Sequence, residues 1–263
     1  MDAKSRIKRP HQIRLITAGN AEVGKTSIIK RLCEKRFNPK YQATIGLDFG
    51  VLRFNAGTEV RANIFDLSGL PVFKMVRMEF YTSIDAVILI YDLSNPSSFE
   101  MLDSWLAEMA QGMDNTSVVC IVCANKCDKK QLINRQEAQA WVEMHKFSHF
   151  VVSAQTGEGI TEMFQNLIMQ VLDVHNNGRH PVALWSSCNY SKEELQAVHQ
   201  VRWSKTEYEK LGIEPGATRE DINRTYRRLA VLLHPDKSTA PGCEEAFKLL
   251  ASARSVLLKR AAH

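Results

Sequence analysis

The chain has 263 residues, 44% of them hydrophobic and 24% charged, which fits one large or two moderate domains of ordinary globular composition. A formal charge of +5 is small for this length and carries no nucleic-acid signature, so no nucleic-acid partner is expected. No apolar run is long enough to span a bilayer, Met1–Arg6 lacks the apolar core of a secretory signal, and the six cysteines form no framework, so an intracellular, reducing compartment is expected, in the simplest case the cytoplasm.

The basic start, Lys4-Ser5-Arg6-Ile7-Lys8-Arg9-Pro10, reads as a solvated tail over residues 1–11, with a weak nuclear address as the alternative. The first strand, Arg14–Ala18, runs into Gly19-Asn20-Ala21-Glu22-Val23-Gly24-Lys25-Thr26, and a helix follows over Lys25–Lys35. Strand, glycine turn and helix form the context of a phosphate-binding P-loop. Backbone N–H groups of the turn and the positive helix end would surround the phosphates of a nucleoside triphosphate. Lys25 would reach the β and γ phosphates, and the Thr26 hydroxyl would ligate Mg²⁺.

Further strands are expected at Phe49–Phe54, Glu59–Phe65, Ala86–Tyr91, Val118–Ala124 and His149–Val152, with a hairpin-like turn at Asn55-Ala56-Gly57-Thr58. Helices are expected over Ser97–Gln111, Arg135–Lys146 and Ile160–His175. Strands separated by helices make an α/β domain with a mostly parallel six-stranded sheet covered on both faces. Ligands of such sheets lie at the carboxyl ends of the strands. Cys120, Cys123 and Cys127 suggest a metal at first sight. In a strand, however, a spacing of three puts Cys120 and Cys123 on opposite faces, and a buried strand is the expected reading.

Five more places along the chain fit the same ligand. Thr44 lies on a loop, where its hydroxyl can ligate Mg²⁺ and its N–H can sense a γ-phosphate. Asp66 ends a strand and can hold Mg²⁺ through water; Gly69 lets the backbone approach the γ-phosphate. In Asn125-Lys126-Cys127-Asp128, Asp128 can accept hydrogen bonds from both the N1–H and the 2-amino group of guanine, a pair adenine lacks. Ser153-Ala154 can brace that loop and offer a backbone N–H to the guanine oxygen, and Phe37 offers a flat face beside the base.

At these residues the chain resembles a small GTPase of the Ras superfamily, closest to the Rab branch, from about Ile13 to Val174. The resemblance implies a Ras-like domain over residues 12–175 that binds GTP and GDP with Mg²⁺. It also implies switch segments around Asn38–Gly46 and Asp66–Tyr81 that engage protein effectors. Two departures bear on function. The family's Asp-x-Ala-Gly-Gln places a water-orienting glutamine where this chain has Leu70, which has no side-chain donor or acceptor, so slow hydrolysis and a long-lived GTP state are expected. Rab-type chains end in prenylated cysteines; this one ends Lys259-Arg260-Ala261-Ala262-His263 with its last cysteine at Cys243, so no stable membrane anchor is expected. Ala21 and Glu22 also replace small P-loop residues, and Glu22 brings a carboxylate near the phosphates or into solvent.

Past His175 the pattern gives way to turn chemistry at Asn176–Pro181 and Ser186–Asn189, and residues 176–204 read as a linker. Within it, the capping box Ser191-Lys192-Glu193-Glu194 starts a short helix to about Val201. A small all-α unit over residues 205–263 follows. One helix starts at Thr218-Arg219-Glu220-Asp221, with Ile222, Tyr226, Leu229 and Leu233 at helical spacing; another runs from about Glu244 to Lys259. The polar loop between them exposes His234-Pro235-Asp236 at its tip. With Tyr208–Gly212 ahead and Tyr226–Ala230 inside the helix, this unit resembles a DnaJ-type J domain. The resemblance implies docking on a DnaK-type heat-shock chaperone through His234, Pro235 and Asp236, with Arg224, Arg227 and Arg228 as the positive face. Two functions are compatible with the whole chain. One is a switch whose J domain recruits a chaperone; the other is a scaffold that holds nucleotide constitutively.

Overall fold

The structure, a computed structural model, describes residues 10–113, 118–177, 190–240 and 242–260. The basic segment expected at Lys4–Arg9 and the turns expected at Gly178–Pro181 and Ser186–Asn189 lie outside the described residues. The chain divides into two compact units. One takes in Met1–Leu102 and Gly112–Leu184, the other Asp103–Gln111 and Trp185–His263.

The first unit begins with β1 (His11–Ala18), α1 (Lys25–Glu34), β2 (Leu47–Asn55), β3 (Glu59–Leu67) and α2 (Lys74–Phe80). After these come β4 (Ala86–Asp92), α3 (Pro96–Glu100), then α4 (Leu102–Gly112), whose residues Asp103–Gln111 group with the second unit, and β5 (Val119–Asn125), α5 (Arg135–His145), β6 (Ser148–Val151) and α6 (Ile160–Asn177). The sheet order is β2-β3-β1-β4-β5-β6; the β2–β3 hairpin is antiparallel and the other pairs are parallel. The composition of each strand matches its place. β4 and β5 are apolar up to their last residues, Asp92 and Asn125, and every residue in them is buried, whereas edge strand β2 alternates along its length. Ile13, Leu15, Ile64, Ile88 and Ile121 from the sheet meet Ile28 of α1 and Phe164, Leu167 and Ile168 of α6 in one core. Burying each such side chain contributes about 1.5–3 kcal/mol.

All six expected strands are present within three residues of their expected bounds, and Cys120 and Cys123 are buried in β5. The hairpin closes at Ala56 N–H to Thr58 O, 3.0 Å, with Gly57 at φ +80°. The single helix expected over Ser97–Gln111 is two helices. Met101 sits at φ −84°, ψ −2°, in the bridge region, which interrupts the ladder for one residue. The second switch also carries a 3-10 turn (Pro71–Phe73) and α2, which no apolar periodicity signals.

The second unit contains α7 (Lys192–Trp203), α8 (Glu207–Leu211), α9 (Arg219–Leu232) and α10 (Cys243–Arg260). Three capping boxes, at Ser191, Thr206 and Thr218, start α7, α8 and α9 by exchanging side-chain and backbone bonds with the residue three positions on. α7, read from sequence as part of a linker, packs against α8, α9 and α10. Its Leu195, Val198 and Val201 are buried, Arg202 pairs with Glu245 of α10 at 3.0 Å, and Gln200 Nε2 donates to Glu209 O and Lys210 O at the end of α8.

Candidate functional site

β1 leads straight into the P-loop, and α1 starts at Lys25. The loop's orientation depends on β5. Gly24 has φ +96°, and a Cβ there would collide with Asn125 Nδ2. Freed by that glycine, the Asn125 amide donates to Val23 O at 2.8 Å, while its Oδ1 accepts from Ala154 N–H at 3.1 Å. Asn125 is 1% exposed, so this one buried amide ties the phosphate loop to the loop after β6.

Lys25 Nζ donates to Gly19 O at 2.8 Å and Asn20 O at 2.7 Å. Burial pushes its pKa down to about 8; the Asp66 carboxylate opposes this and the like charge of Arg77 adds to it. A phosphate anion beside Lys25 would restore the charge. Burial pushes Asp66 up, and hydrogen bonds from Thr26 and Thr17 and the charge of Lys25 pull it back. Thr17 Oγ1 donates to Asp66 Oδ1 at 2.8 Å, and Thr26 Oγ1 donates to Asp66 Oδ2.

Thr26 Oγ1 and Thr44 Oγ1 are 3.0 Å apart, and Thr26 also meets Asp66. In an octahedral Mg²⁺ shell with ligands at about 2.0–2.1 Å, neighbouring oxygens lie about 3 Å apart. The three residues chosen from sequence as magnesium holders therefore fit that ion. Two hydroxyl ligands, with the Asp66 carboxylate holding a metal-bound water, would leave the remaining positions to phosphate and water, as Mg²⁺ commonly has them.

A cavity of about 430 Å³ opens beside these groups. Ala21, Glu22, Gly24, Lys25, Thr26, Phe37, Thr44, Gly69, Leu70, Asn125, Lys126, Asp128 and Ala154 line it. Gly19, Asn20, Val23, Asp66 and Ser153 sit behind the wall and act on it through the bonds above or, for Ser153, by donating its hydroxyl to Asp128 Oδ1. Phe37 is half-buried at the rim, under the Arg31 guanidinium at 5.9 Å. Glu22 is exposed and holds φ +67°, a left-handed conformation unusual for a residue with a Cβ. Leu70 lines the cavity and has no polar side-chain atom.

The Ala154 N–H, expected to meet a guanine oxygen, is occupied by Asn125 Oδ1, so a base would share or displace that bond. Asp92, Arg31 and Arg77 escaped sequence reasoning. Lys126 Nζ pairs with Asp92 Oδ2 at 2.6 Å. Burial alone would raise Asp92, but the hydrogen bonds from Lys126 and Ser94 hold its carboxyl below the ordinary value. Arg31 Nε donates to Ala154 O at 3.0 Å, and Arg77, 3% exposed, donates to Ser68 O at 3.0 Å and Leu70 O at 2.7 Å. The only sequence signal for these was charge at odds with burial, which is invisible until burial is known.

In the second unit, Leu233 is fully buried and anchors the loop after α9. His234 O accepts from both Lys237 N–H and Ser238 N–H at 2.9 Å, and His234 Nδ1 accepts from Asp236 N–H at 3.2 Å. The His234 ring meets Phe247 of α10 edge-on at 5.7 Å. The tip is thus rigidly turned yet open, with the Asp236 side chain 88% exposed. Arg224, Arg227 and Arg228 are exposed, and spacings of three and four put them on one face of α9. Arg254 Nη2 donates to Asn223 Oδ1 at 2.8 Å, and its guanidinium lies over Tyr226, which ties α9 to α10.

Residues 14–173 match the Ras family, and residues 206–262 match the DnaJ domain. DnaJ homolog subfamily C member 27 of Rattus norvegicus is 50% identical over 256 residues, covering 94% of this chain and 93% of that protein. The Homo sapiens protein of that name is 47% identical over 258 residues, covering 95% and 94%, and that of Danio rerio 47% over 259 residues, covering 96% and 95%. The chain belongs to the Ras family, in the arrangement that joins a Ras-family domain to a C-terminal DnaJ domain.

Proposed function

We propose that this protein is a Rab-like guanine-nucleotide switch with slow intrinsic hydrolysis, whose J domain recruits a DnaK-type heat-shock chaperone. The observation that carries the nucleotide half is the meeting of Thr26, Thr44 and Asp66 oxygens beside Lys25, within one magnesium shell of the cavity. Lys25 and the P-loop N–H groups hold the β and γ phosphates. Thr26 and Thr44 ligate Mg²⁺, with Asp66 accepting from Thr26 and reaching the ion through water. The ion, when bound, neutralises phosphate charge. Asp128, steadied by Ser153, reads the guanine N1–H and 2-amino group, while Phe37 and the Lys126 stem cover the base and ribose. Thr44 and Gly69 sit on the two segments that report the γ-phosphate to effectors. Leu70 leaves the attacking water unoriented, so the GTP state persists.

The chaperone half rests on the open His234-Pro235-Asp236 turn beside the arginine face of α9, which suits an acidic partner surface. Identification of the nucleotide carried by the purified protein tests the first half; a nucleotide other than GTP or GDP would overturn it. Stimulation of a chaperone ATPase tests the second. A constitutively loaded scaffold remains the rival, favoured by Leu70 alone. Equal capture of partners by GTP- and GDP-loaded protein would select it.

A further inference from the structure

We propose that Arg77 of α2 is a positioning residue that couples the γ-phosphate of the bound nucleotide to closure of the second switch. The inference rests on the reading of the cavity as a guanine-nucleotide site. Arg77 is buried, and its guanidinium donates to the carbonyls of Ser68 and Leu70, the two residues that flank Gly69. Gly69 in turn lies directly on the phosphate loop: a Cβ at that position would collide with Ala21 N and Asn20 C and come within 2.6 Å of Gly19 O. One side chain thus holds the loop that must sit against the phosphates.

The hold extends to the first switch. Ser68 N–H donates to Gly46 O at 2.9 Å, continuing the β2–β3 ladder to within two residues of Thr44. Leu70 supplies no side-chain bond; its carbonyl accepts from Arg77 at 2.7 Å and from Phe73 N–H at 3.1 Å, and Arg77 is the one of these that also reaches Ser68 O. A γ-phosphate on the P-loop would meet the backbone at Gly69, which Arg77 holds through the two carbonyls that flank it. GDP lacks that phosphate, so the hold on the loop weakens in the GDP state. A ligand shifts such an equilibrium only through its different affinity for the two states, and the γ-phosphate contact at the loop that Arg77 positions is the source of that difference.

The test measures dissociation constants of the full chain for a non-hydrolysable GTP analogue and for GDP, both with Mg²⁺, in the parent, Arg77→Met and Arg77→Lys. Hydrogen exchange of residues 66–81 is followed in the same states. Arg77→Met should lower the triphosphate-to-diphosphate affinity ratio about tenfold and bring exchange in the triphosphate state to the GDP level. Arg77→Lys, which keeps the charge, should lower the ratio about threefold. A merely structural arginine would weaken both nucleotides alike, so an unchanged ratio in both variants overturns the proposal. If Arg77→Met does not fold, Arg77→Lys decides by the same ratio. A parent that binds neither nucleotide overturns the switch reading together with this inference, whereas a nucleotide-binding parent with an unchanged ratio overturns this inference alone.

Discussion

Gly24→Ala isolates the contact on which the nucleotide site turns. Two effects add. The new side chain must hold φ +96°, a penalty of about 1–2 kcal/mol for a residue with a Cβ. Its Cβ must also displace the Asn125 amide and break the buried bond to Val23 O, a further loss of about 1–3 kcal/mol. The sum is roughly 2–5 kcal/mol. Gly57→Ala is the control: its φ is +80° and nothing lies within 4 Å of the added Cβ, so it carries strain alone. The assay is urea unfolding of both variants at one fixed excess of GDP and Mg²⁺, with GDP dissociation measured alongside. Gly24→Ala should lose at least 1 kcal/mol more than Gly57→Ala and release GDP at least tenfold faster, because Asn125 also fixes Ala154. Equal stability losses in the two variants, with unchanged GDP release in Gly24→Ala, would refute the role given to Asn125.

Glu22→Gly relieves a left-handed residue and removes a carboxylate beside the phosphates, so it should stabilise the domain by about 1 kcal/mol and slow GDP dissociation several-fold. Glu22→Gln should recover only the charge part of that change. The pH dependence follows from Lys25. Its pKa is about 8 with the site free, and bound phosphate raises it, so the affinity that needs the ammonium is complete below pH 8 and falls as pH rises above it. GDP titrations between pH 7 and 9 should show that fall, and Lys25→Arg, which stays charged, should flatten it. His234→Gln should abolish stimulation of a DnaK-type chaperone ATPase while thermal unfolding stays within about 1 kcal/mol of the parent, because the ring is half-exposed and gives up one backbone bond. Stimulation that survives the substitution would remove the docking role from this loop.

The sheet was legible because its strands are apolar runs bounded by turn residues, and the P-loop, Asp66 and the Asn125–Asp128 box lie at or just past the ends of such runs, while Thr44 lies on the loop ahead of β2. The P-loop, Thr44, Asp66 and the Asn125–Asp128 box were therefore found at the cavity or directly behind it. What sequence could not supply was pairing at long separation. Asn125 meets Val23 across 102 positions and Lys126 meets Asp92 of a neighbouring strand, and no local pattern encodes either. Nothing in the sequence set Arg77 apart within the second switch segment, because its burial depends on the fold around it. α7 was recognised by its capping box, yet its place in the second unit depends on Leu195, Val198 and Val201 finding partners in helices that follow it. The break at Met101 and the short α2 left no trace, since single-residue dihedral changes barely alter apolar periodicity.

Single-turnover GTP hydrolysis, measured side by side on the purified parent and on Leu70→Gln, tests the slow-switch reading most directly. The parent should retain bound GTP for long periods, and Leu70→Gln should hydrolyse it faster, because a side-chain amide then faces the cavity beside Gly69. A parent that hydrolyses GTP as fast as Leu70→Gln, or faster, would contradict it.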